Sequence, residues 1–161
     1  MVFLREFLPE DRERMLDILT SRIIRRTYML PDFTDREAAV PLFLRLMEMS
    51  HDKDKFIRAI ADEDGVVGFI NHTEITRRQI ELGYVIHPDF HGKGYMTEAL
   101  KHAMDELFSL GYEEIVACAF SSNTASIRVM EKCGMTPLVK TDEIEYRGIT
   151  HTCVYYSKNR E

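Results

Sequence analysis

The stretch that decides the fold is Tyr84-Val85-Ile86-His87-Pro88-Asp89-Phe90-His91-Gly92-Lys93-Gly94-Tyr95-Met96-Thr97-Glu98-Ala99-Leu100. A strand-like run ends before Pro88, two glycines alternate with a lysine, and an amphipathic pattern predicts a helix over 95–110. The first amides of a helix have no partner inside it, and the helix dipole adds positive potential there. Because glycines allow a phosphate to approach closely, the loop predicts an anion site. A plain strand-to-helix turn is the alternative.

Two familiar phosphate-binding loops differ from this one. The pattern Gly92-x-Gly94-x-x-Thr97 lacks the third glycine of the dinucleotide fingerprint. A Walker loop needs four residues between its glycines and a Gly-Lys-Ser/Thr ending, which the stretch also lacks. Since no Asp-rich magnesium site is evident either, the sequence argues against a nucleotide-binding enzyme, which is kept as an alternative.

Composition limits the class of protein. The chain has 161 residues, so one domain is expected, and 45% hydrophobic with 30% charged residues is typical of a globular protein. Its net charge of −6 argues against a nucleic-acid surface, so any anion must be held locally. No apolar run reaches the roughly 18 residues of a membrane span, and the first residues do not resemble a signal peptide. Cys118, Cys133 and Cys153 fit neither a disulfide framework nor a zinc site, so we expect a cytoplasmic protein.

Hydrophobic periodicity outside the loop predicts a mixed α/β (α+β) chain in the order β-α-α-β-β-β-α-β-α-β-β. The predicted elements are a strand over 2–7, a helix beginning at Pro9, a helical segment over 42–49, strands over 56–61, 66–74 and 79–86, a helix over 95–110, a strand over 114–120, a helix over 123–133, and two strands between 135 and 156. Thr34 and Glu37 have capping-box spacing, so a helix is expected to begin there. Pro41 should kink that helix or start a new one.

A second motif runs Asn123-Thr124-Ala125-Ser126-Ile127-Arg128-Val129-Met130-Glu131-Lys132-Cys133-Gly134-Met135. Alone, Asn123 and Ser126 indicate ordinary helix capping. Together, the two motifs resemble the GNAT superfamily of acetyl-CoA-dependent N-acetyltransferases. The loop over 91–96 is similar to the family pattern Gln/Arg-x-x-Gly-x-Gly/Ala, and the second motif to Asn-x-x-Ser-x-x-Val-x-Glu-Lys-x-Gly-Phe/Met.

Further details resemble the branch that acetylates the N-termini of ribosomal proteins (Rim-type). They are Gly83-Tyr84 before the loop, 126–130 in the second motif, and Tyr146-Arg147-Gly148 late in the chain. The resemblance implies one GNAT-like domain over 1–161, with a mostly antiparallel sheet and a central splay. It also implies acetyl-CoA as co-substrate, with the pantetheine arm pairing with a strand edge. The implied cofactor-binding residues are Val85, Ile86, His91, Gly92, Lys93, Gly94, Tyr95, Met96, Asn123 and Ser126.

Three positions depart from the family pattern. His91 replaces Gln or Arg, and Met96 replaces a small residue. Met130 stands about where many relatives carry the tyrosine that protonates the leaving thiolate, so the general acid is unassigned. These departures motivate a non-catalytic acyl-CoA-binding module as the alternative function. No metal is expected, since no ligand set stands out beyond the unsuitable pair His87 and His91.

The implied reaction is attack of an amine on the acetyl thioester, and the amine must first lose a proton. Glu81, on the strand before the loop, is the candidate base. The alternative interpretation is that Glu81 is an ordinary strand residue facing solvent. Glu74 is a second candidate, and His72 is weaker. A main-chain N–H on the strand of Tyr84 is expected to hold the oxyanion, with Ser126 near the thioester.

The acceptor is expected to be a protein N-terminus or a small amine. The stretch over 21–33 lies where relatives place the acceptor wall, which makes Tyr28 and Phe33 candidate lining residues beside Glu74. Two interpretations are open for Arg25 and Arg26: they contact an acidic acceptor, or they are exposed to solvent. Near the other end of the chain, Tyr155 and Tyr156 suit a dimer surface as well as a core, so a homodimer is left open.

Overall fold

A computed structural model describes all 161 residues, Met1–Glu161. The strands are β1 (Phe3–Arg5), β2 (Ile57–Asp62), β3 (Gly65–Thr76), β4 (Gln79–Ile86), β5 (Glu114–Phe120), β6 (Thr136–Tyr146) and β7 (Ile149–Asn159). The α-helices are α1 (Arg12–Leu19), α2 (Val40–Ser50), α3 (Tyr95–Ser109) and α4 (Thr124–Lys132). The element order is the predicted one, with 3-10 turns added at Pro9–Asp11, Ile24–Arg26, Glu37–Ala39 and Pro88–Phe90.

All seven strands form one sheet in the order β1-β2-β3-β4-β5-β7-β6. Every neighbouring pair is antiparallel except β4 and β5. That parallel pair runs from Gln79 opposite Glu114 to Leu82 opposite Ala117 and stops there, although both strands continue. β5 keeps its antiparallel partner β7 as far as Phe120. The predicted central splay is therefore confirmed, between the ends of β4 and β5.

The two faces of the sheet carry separate cores because strand side chains alternate. On one face, Leu82 and Ile86 of β4 pack in a cluster with Leu100 of α3 and Met130 of α4. On the other face, Val85 of the same strand packs in the cluster that includes α1 and α2 residues. β4 thus lies between both helical layers, and its free end is supported from both sides.

The start of α2 differs from the prediction. Thr34 does not cap a helix: the Asp35 carboxylate accepts from the Ala38 N–H at 2.9 Å, which starts a 3-10 turn. α2 begins at Val40, with Pro41 in its first turn. Pro41 therefore starts a new helix rather than kinking one, because the first helical turn has no use for the N–H that proline lacks.

The C-terminal tyrosines pack inside the chain. Tyr155 is 7% exposed and belongs to a small cluster with Val116, Phe120 and Cys153. Tyr156 packs against the main core. Tyr155 therefore belongs to the chain's own core, and Tyr156 is partly buried against it. No helix of the structure has the length and apolar character that crossing a membrane requires.

Asp11 holds the first strand to the first helix. Its carboxylate accepts from the Arg5 guanidinium at 2.7 and 2.9 Å and from the Leu8 N–H at 2.8 Å. We expect Asp11→Ala to lower the free energy of unfolding by about 2–3 kcal/mol, because it leaves a mostly buried cation and an amide without their partner. Urea denaturation measures this loss. Glu37→Ala removes an exposed ion pair with Arg12 and serves as the control, with an expected effect under about 1 kcal/mol. Equal effects of the two variants would contradict the buried role of Asp11.

Candidate active site

A cavity of about 790 Å³ opens where β4 and β5 separate. It is lined by the end of β4, the glycine loop, the start of α3, the end of β5, the face of α4 and the segment over 23–29 that follows α1. Of the candidate cofactor residues, Val85, Ile86, His91, Gly92, Gly94, Tyr95, Met96, Asn123 and Ser126 line it together. Lys93 does not line it, and its ammonium lies 5.3 Å from the centre of the Phe90 ring.

The glycine loop is left-handed at both glycines. Gly92 has φ 77° and Gly94, which caps α3, has φ 76°. A Cβ at either position would meet no atom within 4 Å. The glycines are therefore required by backbone conformation, and the space above them is open. A ligand phosphate has access to the first amides of α3 at this point.

His91 ties the loop to the end of β4. Its ring Nε2–H donates to the Ile86 carbonyl at 2.8 Å, because a carbonyl only accepts. The ring is thus used inside the protein, and the main chain of the loop is left for a ligand. This explains how histidine serves at a position where the family pattern has Gln or Arg.

The open edge of β4 can be identified from its pairing. Val85 lies opposite Phe69 in β3, and its carbonyl oxygen is 2.1 Å from where a Cβ on Gly68 would stand. Val85 thus directs its main-chain groups to β3, and by strand alternation Tyr84 and Ile86 direct theirs to the side that β5 has left. Past Leu82, the Tyr84 main chain and the Ile86 N–H on this edge have no strand partner and can pair with an extended ligand, while the Ile86 carbonyl already accepts from His91.

Two hydroxyls meet beside this edge. The Tyr84 hydroxyl is 2.7 Å from Ser126 Oγ and 3.2 Å from the Ser126 carbonyl. Asn123 positions the serine by accepting the Ser126 N–H at 3.2 Å. Burial raises the pKa of Tyr84 well above its usual range, so the phenol stays protonated at neutral pH. The sequence pointed to the main chain of Tyr84, whereas its side chain proves to be in the site as well.

The two candidate bases differ in their access to the cavity. Glu81 and Glu74 lie opposite each other on β4 and β3, and neither lines the cavity. The Glu81 carboxylate accepts the hydroxyl of Thr73, which does line it. Glu74 is exposed and lies near the hydroxyl of Thr76 at 3.5 Å. Only Glu81 is therefore connected to the cavity, through one hydroxyl. His72 accepts the Phe56 N–H at 3.1 Å and has a structural role.

Tyr28 forms part of the cavity wall. Its hydroxyl donates to Asn71 Oδ1 at 2.8 Å, and its ring lies over Gly83, where a Cβ would be 3.4 Å from Tyr28 Cε2. Burial raises the pKa of Tyr28 to about 12. Phe33 does not line the cavity and packs against the core beneath α1 and α2.

Sequence reasoning missed the contribution of the C-terminal hairpin. Ile144 and Cys153 line the cavity, and the Tyr146 hydroxyl donates to the Arg25 carbonyl at 2.6 Å and accepts from the Leu30 N–H at 3.3 Å. The hairpin thus holds the segment that carries Tyr28. The signal available was Tyr146-Arg147-Gly148, which indicated a turn and not a contact more than a hundred residues away.

Cys118 lines the same cavity but is not an activated nucleophile. Burial raises the pKa of its thiol to about 12, and the negative charge of Glu81 acts in the same direction. Since the thiolate is the reactive form, the group is inert at neutral pH.

The comparisons with known proteins agree with this architecture. The family described as "Acetyltransferase (GNAT) domain" matches residues 2–136, so the chain belongs to the GNAT family and is an acetyltransferase. It is 26% identical to the putative ribosomal N-acetyltransferase YdaF of Bacillus subtilis in an alignment 165 positions long, which covers 97% of this chain and 90% of that protein. It is also 26% identical to the uncharacterized N-acetyltransferase YnaD of the same organism over 136 residues, covering 83% and 78%.

Solved structures share the fold at low identity. RimL, a ribosomal L7/L12 alpha-N-protein acetyltransferase in complex with coenzyme A, superposes with a TM-score of 0.86 at 16% identity, covering 98% of this chain and 93% of that one. Spermidine N-acetyltransferase from Vibrio cholerae, in complex with CoA and spermine, has a TM-score of 0.82 at 18% identity, covering 98% and 95%.

The raised pKa of Cys118 predicts slow alkylation. At pH 8 we expect iodoacetamide to modify Cys118 in the folded protein at least about a hundredfold more slowly than in urea, where the thiol pKa returns to about 8.5. Peptide mass spectrometry at several times measures both rates. Modification of Cys118 at similar rates in the two states would contradict an inert thiol.

Proposed function

We propose that this acetyltransferase transfers an acetyl group from acetyl-CoA directly to a primary amine. The observation that carries the proposal is the open edge of β4, which shares one cavity with the glycine loop and with the Tyr84–Ser126 pair. An extended amide chain that ends in an anionic group fits such a surface. The pantetheine arm and diphosphate of coenzyme A have this chemistry.

The proposed orientation of the cofactor runs from its diphosphate at the glycine loop to its thioester at the Tyr84–Ser126 pair. Its diphosphate takes the amides of the first turn of α3 at Gly92 and Gly94. Its pantetheine arm pairs with the open edge at Tyr84 and Ile86, in the gap that β5 leaves. The thioester then comes near the hydroxyls of Tyr84 and Ser126.

The chemistry follows from this placement. The amine nitrogen attacks the thioester carbonyl, the carbonyl oxygen becomes an oxyanion, and collapse of the intermediate breaks the carbon–sulfur bond. A main-chain N–H on the open edge of β4 holds the oxyanion, and such a donor contributes about 2.7–4 kcal/mol to the transition state. The protonated Tyr84 and Ser126 hydroxyls supply a proton to the departing thiolate. They stand in for the tyrosine that α4 lacks, because Met130 is buried in the core.

Glu81 is proposed as the base. Its carboxylate holds the Thr73 hydroxyl, which faces the cavity, so a proton can pass from the amine to Glu81 through that hydroxyl or a water. Glu74 has no such connection. The acceptor amine is proposed to enter beside Tyr28, opposite the cofactor loop.

The charge of the wall indicates which amines fit. No Asp or Glu lines the cavity. Its acceptor side combines the Arg26 cation and the hydroxyls of Thr27 and Thr73 with apolar side chains, those of Ile23, Met29, Phe120 and Ile144. A polyamine needs carboxylates for its remaining cations. A protein N-terminus or a small amine with one cationic centre suits this wall better.

An acceptor screen tests the proposal. We expect free thiol to appear from acetyl-CoA faster with a peptide bearing a free α-amino group than with spermidine, and only slowly without an amine. Colorimetric detection of the thiol measures the rates. Coenzyme A binding without amine-dependent release from any acceptor would instead support a non-catalytic acyl-CoA-binding module. ATP binding that coenzyme A does not displace would support a nucleotide-binding enzyme.

Substituting the two carboxylates separates their roles. We expect Glu81→Gln to lower kcat/KM at neutral pH by about a hundredfold, because the amine loses its proton acceptor. The acid limb of the pH–rate profile should move up toward the pKa of the amine itself, since only unprotonated amine then reacts. Glu74→Gln, which changes the opposite residue of the same strand pair, should leave the profile in place. An unchanged profile for Glu81→Gln would remove that residue from the mechanism.

A further inference from the structure

Three cations lie on α3 and α4, two of them in the cavity and one in the cavity next to it. Arg128 and Lys132 line the cavity from α4, and they are four residues apart, so they lie on one face of that helix. Lys101 is four residues beyond Thr97, a lining residue in the first turn of α3, and lies on the same face of α3 as Thr97.

One contact brings these faces together. The Cys133 thiol donates to the Thr97 carbonyl at 3.5 Å, so the end of α4 lies against the first turn of α3. Lys132 also lines a neighbouring cavity of about 780 Å³, and Lys101 lines it too. Lys132 is therefore shared by the two cavities, with Arg128 beside it in the first and Lys101 beside it in the second, which Asp105 and Glu161 also line.

These cations have no partner in the protein. None of the three forms an ion pair. For Arg128 this differs from the seven arginines that do, those at 5, 12, 25, 36, 58, 78 and 147, while no lysine of the chain forms one. Nearby Glu98 is used by the Val2 N–H at 3.0 Å. Like charges four residues apart repel each other. A lysine in the last turn of α4 suits the helix dipole, but this does not explain Arg128 or Lys101.

The chemistry of the proposed cofactor supplies the missing anion. Coenzyme A carries, besides its diphosphate, a phosphate on the 3′ oxygen of its ribose, one sugar away from the diphosphate. We infer that Arg128, Lys132 and Lys101 bind this 3′-phosphate and that the protein thereby distinguishes coenzyme A from 3′-dephospho-coenzyme A. The inference rests on the proposed function and identifies the part of the cofactor that these side chains recognise.

Calorimetry with the two cofactors tests the inference. We expect the full-length protein to bind coenzyme A about tenfold or more tightly than 3′-dephospho-coenzyme A, because hydrogen bonds between charged partners are strong. Lys132→Gln and Arg128→Gln should each remove most of this preference by weakening the binding of coenzyme A alone. Both side chains are exposed, so folding should be unaffected. Lys53→Gln, an exposed lysine in the loop before β2, is the matched control and should keep the preference.

The outcomes separate this inference from the proposed function. If neither cofactor binds, the proposed function fails and the inference fails with it. If both bind equally well, the protein uses coenzyme A but does not read its 3′-phosphate, and the inference alone is overturned. A preference that survives in both variants also overturns it, because the phosphate must then be held by other residues.

Discussion

The whole site depends on the point at which two parallel strands stop pairing. β4 and β5 are in register as far as Leu82 and Ala117, and beyond it each keeps only one neighbour. Main-chain groups on the open edge of β4 are polar and need partners, because an unpaired buried amide is costly. An extended ligand that donates and accepts in the same way as a strand meets this need. The gap in the sheet thus opens the cavity in which we propose that the cofactor binds.

The proposed binding of an anionic cofactor to this acidic chain depends on polar and cationic groups close to the ligand. The net charge is −6, yet the glycine loop offers uncharged amides at the start of α3, and Arg128 and Lys132 line the same cavity from α4. Salt screens distant charges over a length of about 8 Å at physiological ionic strength, so local groups decide what binds. We propose that the amides bind the diphosphate and that side chains of α3 and α4 distinguish coenzyme A by its 3′-phosphate.

The acceptor side is built differently, from contacts between remote segments. Tyr146 of the C-terminal hairpin holds the segment after α1 through the main chain of Arg25 and Leu30. Gly83 leaves room for the Tyr28 ring to lie on β4. Because both ends of the chain meet here, a change in the hairpin alters the wall that faces the amine. No carboxylate lines this side of the cavity.

The sequence by itself determined the order of elements, the meander of β2 to β4, the glycine loop and the cap at Asn123, because strand alternation, helix periodicity and turn residues are local properties. It also indicated the family through two motifs. Only the tertiary structure decided that Thr73 connects Glu81 to the cavity, that Phe33 and Glu74 lie outside it, that Asp35 replaces Thr34 as a cap, and that the Tyr84 hydroxyl meets Ser126. Such contacts depend on which distant segments pack together, and no local pattern along a chain records that.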